Sequence, residues 1–305
     1  MMIANISRKK LPQNLVSAGI SPTASIFFSL IALPLGLTAP VLALEVQFNP
    51  ASPRLGDTIS VIVNTENSPS ANNIQVTVGK ETYPAYQTAP GRFRAFIPTT
   101  PLESPGRRVV QVTDGQTTRN KAIFVGNRNF PVQRINLPPG KAGVRATELE
   151  LRRAREFRAV RSPERFWNGP FIAPSTARRS TPYGVRRYYN GVFAKDYYHR
   201  GLDYAGASGS PVVSPAPGRI VLVGRVAEGF RVHGNVVGID HGQGVASIMM
   251  HLKDISVREG DFVQAGQQVG TIGSTGASTG PHLHWGLYVN GKSVDPDVWL
   301  KTGVE

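Results

Sequence analysis

Short runs of alternating hydrophobic and polar residues fill the chain between residues 44 and 128. Side chains on a β-strand alternate between two faces, so each run predicts a strand with one buried face. Turn-forming sequences such as Ala-Pro-Gly and Asp-Gly separate the runs, and this regular spacing favours a small antiparallel β-sandwich. The clearest runs are Thr58–Val63, Ile74–Val78, Arg92–Ile97 and Arg108–Val112.

Residues 129–165 have a different pattern, which we interpret as a basic linker with a short helix. Thr147 followed by Glu150 is the signature of a capping box at a helix N-terminus. Seven arginines lie between residues 145 and 165, and we expect them on the solvent-exposed face of this helix. Contact with a polyanion is the alternative. The apolar stripe of the helix consists of Leu149, Phe157 and Val160.

Residues 166–305 contain valine-rich runs punctuated by glycine, which predict a compact β-sheet domain. The whole chain is therefore expected to be mostly β. All six histidines of the sequence lie in this last segment, so we expect the chemistry of the protein there. The strand predictions are Pro211–Val213, Gly218–Val223, Asn235–Ile239 and Gly270–Gly273.

Residues 1–43 have the organisation of a secretory signal peptide. They contain three basic residues and no acidic residue, and an apolar run extends from Ala24 to Leu44. Small residues before Ala43 predict cleavage after it, and an uncleaved membrane anchor is the alternative. We therefore expect an exported protein that acts in the periplasm, cell wall or extracellular space and meets the membrane only during export.

Composition narrows the chemistry further. The formal net charge is +14, and removal of the three basic residues of the signal leaves about +11. Such a charge favours attraction to anionic polymers, including those of cell walls, and the alternative is that it only makes the protein soluble. No nucleic-acid-binding motif accompanies the charge. The absence of cysteine excludes disulfides, a thiol nucleophile and a cysteine-linked lipid. A bound metal would have to use His and carboxylate ligands.

Two short histidine motifs suggest such a metal site. His282 and His284 are two residues apart, so on a strand their imidazoles share one face about 7 Å apart. His199 and Asp203 are four residues apart, on a turn entering a strand or on one helix face, and either geometry lets a nitrogen and a carboxylate oxygen converge. Zinc accepts these ligands, and a catalytic zinc keeps three protein ligands with water in the fourth position. Each motif alone is weak, but both bracket His251 in one domain.

The segment from Gly184 to Leu300 strongly resembles the lysostaphin-like, or LytM-type, M23 metallopeptidases. The resemblance implies a lysostaphin-like antiparallel β domain at residues 166–305. For the sandwich at residues 44–128 we separately expect an immunoglobulin-like fold, which the M23 resemblance does not cover. The blocks that carry it are His199–Asp203, Gly209–Val212, Gly218–Val221, Gly234–Val237, Ile239–Gly242, His251–Leu252, Gly260–Val263, Gly266–Gln267, Gly273–Gly276, Ser278–Trp285 and Val294–Pro296.

The resemblance also implies the roles of five residues. It implies that Zn²⁺ is held by His199, Asp203 and His284, with His251 and His282 beside the bound water as general base and oxyanion stabiliser. Which of the two has which role is left open. A family tyrosine that helps to stabilise the oxyanion is ambiguous among Phe193, Tyr197 and Tyr198.

Two histidines remain outside this set. We expect His241 to be a hydrogen-bonded structural residue, and His233 matches no family position.

The resulting prediction is an exported zinc metalloendopeptidase that hydrolyses peptide cross-links of peptidoglycan. Its partners would be peptidoglycan peptide stems and anionic wall polymers. One alternative is a non-catalytic wall-binding module or an activator of other wall hydrolases. Another, a sugar-phosphotransfer carrier, is disfavoured by the export signal.

Overall fold

A computed structural model describes residues 44–65, 73–136 and 143–304. These residues belong to one compact unit, and the predicted signal peptide at residues 1–43 lies outside them. Within the described ranges, no helix combines the length and hydrophobicity needed to cross a membrane. The chain is mostly β, as predicted.

Seven antiparallel strands form the N-terminal part of the structure, in the spatial order β1-β2-β5-β4-β3-β6-β7. Strand β4 links the two halves, because its first residues pair with β3 and its last residues pair with β5. Buried residues from both halves share one core, as a sandwich requires, and the immunoglobulin-like fold of this part stays a prediction. The strands are β1 Leu44–Asn49, β2 Thr58–Thr65, β3 Gln75–Val78, β4 Glu81–Ala89, β5 Arg92–Pro98, β6 Gly106–Thr113 and β7 Thr118–Val125.

A ten-stranded sheet forms the C-terminal part, with the central order β17-β14-β15-β16-β19-β12-β9. The remaining strands pair along its side, β13 with β18, β18 also with β16, and β20 with β19. The strands are β9 Arg178–Thr181, β12 Leu202–Ala205, β13 Pro211–Val213, β14 Gly218–Gly224, β15 Asn235–Gly242, β16 Val245–Ile255, β17 Phe262–Val263, β18 Gln268–Ile272, β19 His282–Val289 and β20 Lys292–Val294, followed by helix α2 Pro296–Lys301.

A third, three-stranded sheet includes part of the linker. Strand β8 (Val132–Ile135) pairs in parallel with β10 (Arg186–Tyr189), which pairs with β11 (Val192–Phe193). The linker therefore contributes a strand as well as the predicted helix. The sandwich and the large sheet are also in contact, because Phe96 of β5 packs against Trp167 and Trp299 in the C-terminal core.

The linker helix α1 (Glu148–Ala159) begins where the sequence predicts, but only half of the capping box forms. The Thr147 hydroxyl accepts a hydrogen bond from the Glu150 backbone N–H, as expected. The Glu150 carboxylate instead accepts hydrogen bonds from the backbone N–H groups of Arg231, Val232 and His233. Tertiary contacts have redirected this side chain, so that it ties the helix to a loop of the large sheet.

The apolar face of α1 rests on the large sheet. Phe157 is 2% exposed and packs in a small core with residues from β14, β15 and β16. Several of the predicted solvent-facing arginines, including Arg152, Arg155 and Arg158, are exposed. The helix thus covers one side of the sheet and presents positive charge outward.

His241 is at the centre of a buried hydrogen-bond chain, as expected for a structural residue. Its Nδ1–H donates to the Pro217 carbonyl (2.9 Å) and its Nε2 accepts from the Ser247 hydroxyl (2.8 Å). The indole N–H of Trp285 donates to the same Ser247 oxygen (3.1 Å). Because Trp285 follows His284 directly, this chain fixes β19 against β15 and β16.

We expect Glu150→Gln to lower the free energy of unfolding by about 2 kcal/mol, since a buried carboxylate loses charge-assisted hydrogen bonds from backbone donors. Urea denaturation measures this change. Glu148→Gln, on the same helix but exposed, is the matched control and should change stability by less than about 1 kcal/mol. Equal effects of the two substitutions would contradict the anchoring role of Glu150.

The stability of the fold should also depend on pH through His241. Burial lowers the pKa of His241 to about 4 from its ordinary value of 6.5. Between these values the unfolded chain binds a proton that the folded chain excludes. The contribution of His241 to the free energy of unfolding is therefore fully present above pH 6.5 and decreases towards pH 4. From pH 7 to pH 5, the wild-type protein should lose roughly 2 kcal/mol more than His241→Asn in chemical denaturation. Parallel losses in the two proteins would refute this account.

Candidate metal centre

Three predicted ligands meet at one point beside the large sheet. The Nε2 atom of His199 lies 2.9 Å from Oδ1 of Asp203 and 3.0 Å from Nδ1 of His284, and Asp203 Oδ1 lies 2.9 Å from His284 Nδ1. Asp203 and His284 are direct partners in the β12–β19 pairing, which sets their side chains beside each other. His199 lies in an irregular segment just before β12, so of the two geometries that the sequence left open the helix is excluded.

The hydrogen bonds of His199 leave one of its ring nitrogens directed at this point. The Nδ1 atom of His199 lies 2.8 Å from the Pro182 carbonyl oxygen, which can only accept, so this nitrogen carries a hydrogen. The Nε2 atom is therefore the one that faces the carboxylate of Asp203. A bound cation would lie between these two groups.

The pKa values agree with this picture. Burial by itself would raise the pKa of Asp203, but its hydrogen bonds with His199 and His284 hold that pKa well below its usual range. Burial lowers the pKa of His284 to about 4, in spite of the neighbouring carboxylate. At neutral pH the centre therefore offers one carboxylate and unprotonated imidazole nitrogen to an ion.

The donor set and its spacing fit zinc. Two imidazoles and one carboxylate are ligands that zinc accepts, and tetrahedral ligands at about 2.0 Å from the ion lie roughly 3.3 Å apart. The observed separations of 2.9 to 3.0 Å are close to that value. The contact from His199 to the Pro182 carbonyl is the kind of outer hydrogen bond that orients a metal-binding imidazole.

His251 and His282 lie beside this centre, with their ring centroids 4.8 Å apart. Nδ1 of His251 donates to the Thr275 carbonyl (2.9 Å), and Nδ1 of His282 donates to the Gly280 carbonyl (2.8 Å). In its neutral form, each ring therefore keeps an unprotonated Nε2. The Nε2 atom of His282 lies 4.0 Å from Oδ1 of Asp203.

A local change in backbone conformation brings His251 into the cleft. Met250 is the strand partner of His284, so in a regular strand the next residue would point to the opposite face. His251 has a φ of 63°, in the left-handed region, and its N–H donates to the His233 carbonyl. This conformation breaks the alternation, and both Met250 and His251 line the same cavity. Burial, together with the smaller effect of the neighbouring His282 and His284, lowers the pKa of His251 to about 3.

The centre lies in a cavity of about 620 Å³ whose walls come from distant parts of the chain. Strands β12, β16 and β19 provide the floor, which carries Asp203, His251, His282 and His284. Gln133 and Ile135 of the linker strand β8 form one wall, together with Arg187 and Tyr189 of β10. Sequence analysis did not identify these wall residues, because no local motif announces the parallel pairing of β8 with β10.

The tyrosine candidates can now be separated by position. Tyr197 lines the cavity, whereas the Tyr198 hydroxyl is hydrogen-bonded to Ser293 in the protein interior. Phe193 has no hydroxyl and is 41% exposed. Tyr189, which the sequence analysis did not consider, is also a cavity residue.

His233, which had no predicted role, also lines the cavity. Its Nδ1 lies 2.6 Å from the Glu150 carboxylate. Burial alone would raise the pKa of Glu150, but hydrogen bonds from the side chain and backbone of His233 lower it to about 2. Glu150 therefore stays ionised and holds the loop whose carbonyl group accepts from His251.

Comparisons with known proteins agree on the family of this region. Residues 197–296 match the sequence profile of Peptidase family M23. The DD-carboxypeptidase/endopeptidase Mpg of Neisseria meningitidis serogroup B is 40% identical over 119 residues, which are 39% of this chain and 26% of that protein. The murein hydrolase activator NlpD of Salmonella dublin is 39% identical over 98 residues, 32% of this chain and 25% of that protein. The chain thus spans about a quarter of the length of these curated relatives.

A solved structure extends the similarity to the rest of the chain. A Pseudomonas aeruginosa protein assigned to peptidase M23 superposes with a TM-score of 0.61 at 26% sequence identity, covering 82% of this chain and 95% of that one. The similarity therefore includes most of the described N-terminal strands. The C-terminal part of the chain contains a peptidase family M23 domain, and the His199, Asp203 and His284 group lies within it.

Proposed function

We propose that this protein is a zinc-dependent endopeptidase that hydrolyses peptide cross-links of peptidoglycan. The observation that carries the proposal is the convergence of His199 Nε2, Asp203 Oδ1 and His284 Nδ1, with His251 and His282 in the same cavity. Three ligands of this type leave room for water and substrate, as hydrolytic zinc sites require.

Zinc held by these three residues would polarise the scissile carbonyl and acidify water. His251 and His282 supply the proton transfer, since each has an unprotonated Nε2 and an Nδ1–H fixed by a backbone carbonyl. A base whose tautomer is fixed can accept a proton at Nε2 without turning its ring. The same ring, once protonated, can donate to the leaving amine or to the developing oxyanion.

A second candidate function is activation of another wall hydrolase without hydrolysis by this chain. The similarity to a protein named as a murein hydrolase activator supports it. The complete set of three ligands and two proton carriers favours hydrolysis, because an activator has no need of a convergent donor set. The similarity to a DD-carboxypeptidase/endopeptidase supports the same choice.

Peptidoglycan as substrate implies an exported protein, in the periplasm, cell wall or extracellular space. The net charge of +14 and the exposed arginines of α1 would favour contact with anionic wall polymers. In this proposal the linker helix supports the cleft through Glu150 and presents its positive face to the wall.

The purified protein should release soluble fragments from peptidoglycan sacculi, and removal of metal should stop the release. We expect a chelator to abolish the reaction and a stoichiometric amount of zinc to restore it, since no other group in the cleft can replace the ion. Dye release from labelled sacculi measures the rate. Intact sacculi under all conditions, together with stimulation of a separate amidase, would support the activator function instead.

The two classes of cleft residue should respond differently to substitution. Asp203→Ala should lose bound zinc, because it removes the only carboxylate among the three ligand groups. His251→Ala should keep about one zinc per chain and turn over at least about 100-fold more slowly, as for loss of a general acid or base. Metal analysis and rate measurements on the same samples separate the two effects. Loss of zinc from the His251 variant would show that the assignment of ligands and proton carriers is wrong.

A further inference from the structure

The cavity around the proposed metal centre has an excess of positive charge. Arg187 and Arg200 line it, and Asp203 is its acidic residue among those the structure describes. Asp203 is hydrogen-bonded to the histidines of the centre and attracts Arg187 only at longer range, without an ion pair. A bound dication would add to this positive potential, so the cleft favours an anionic group on its ligand.

Arg187 is held in place by neutral partners only. Its Nε–H donates to the side-chain oxygen of Gln133 (3.0 Å), and its Nη1 donates to the hydroxyls of Tyr197 (2.8 Å) and Tyr189 (3.4 Å). No carboxylate forms an ion pair with it in the described part of the chain, and its Nη2 donates to no residue there. The guanidinium is therefore oriented, partly buried and still able to donate two hydrogen bonds.

The position of this guanidinium depends on the linker. Arg187 is the register partner of Gln133 in the parallel pairing of β10 with β8. Tyr197 lies two residues before the ligand His199, and the backbone N–H of His199 donates to the Val185 carbonyl. The arginine is thus connected to the metal centre through short, hydrogen-bonded segments, and it faces the cavity from a fixed wall.

We propose that Arg187 binds a free carboxylate of the substrate next to the scissile bond. This inference rests on the proposed function and makes it more specific. In a cross-link from D-alanine to a diamino dicarboxylic acid, the carbon that carries the scissile nitrogen also carries a carboxylate. A glycine bridge has no charged group within the bridge. The guanidinium therefore selects the first type of cross-link, because the substrate carboxylate would form an ion pair with Arg187, which has none in the free protein.

The test uses two cross-linked peptides that differ only in this carboxylate, which is free in one and amidated in the other. For the wild-type protein we expect kcat/KM to be about 10- to 100-fold higher for the free acid, the usual size of a charge-assisted hydrogen bond. Arg187→Gln should lose this preference, because cleavage of the peptide with the free carboxylate slows while cleavage of the amidated peptide does not. Arg187→Lys should keep part of it, because an ammonium retains the charge but not the planar pair of donors.

A matched control removes the same charge outside the cavity. Arg134 lies on β8, exposed, with its guanidinium 4.3 Å from the Tyr188 ring centroid, and it does not line the cavity. Arg134→Gln should keep the preference for the acid. Gln133→Ala, which removes only the support of Arg187, should reduce the preference without changing zinc content.

Calorimetric binding of the same two peptides to metal-free protein separates this inference from the proposed hydrolysis. If the wild-type protein cleaves neither peptide but binds the acid more tightly through Arg187, the carboxylate subsite stands and the hydrolase proposal fails. If wild-type protein treats the acid and the amide alike in both assays, the subsite is wrong. It is equally wrong if Arg187→Gln and Arg134→Gln have the same effect.

Discussion

The cleft depends on the convergence of three polar side-chain atoms that strand pairing brings together. His199 Nε2, Asp203 Oδ1 and His284 Nδ1 lie 2.9 to 3.0 Å apart, a spacing that suits a bound dication. The fold can sustain this arrangement because β12 and β19 are paired over four residues and β19 is paired with β16 on its other side. The strand pairing supplies the rigidity that keeps these atoms together.

A second set of hydrogen bonds fixes the imidazole rings around that centre. Backbone carbonyls accept from one nitrogen of His199, His251 and His282, which leaves the other nitrogen of each ring unprotonated. Since a carbonyl cannot donate, these contacts determine the tautomers. The buried hydrogen bonds of His241 and Trp285 with Ser247 also support this centre, because they fix the strand on which His284 lies.

The substrate side of the cleft is built from segments that are distant in sequence. The linker supplies both β8, which orients Arg187 through Gln133, and Glu150, which holds the loop beside His251. One linker thus stabilises two opposite sides of the cavity. The linker therefore contributes contacts to the walls of the cavity as well as joining the two β regions.

The sequence by itself determined the local features of this protein. Period-two runs predicted the strands, the two-residue spacing of His282 and His284 put both in one cavity, and Thr147 marked the start of α1, since all of these depend on neighbours along the chain. Only the tertiary structure decided where Glu150 bonds, why His251 turns into the cleft, and that Arg187 faces it. These outcomes depend on strand register and on partners about 50 to 80 residues away, which no local pattern encodes.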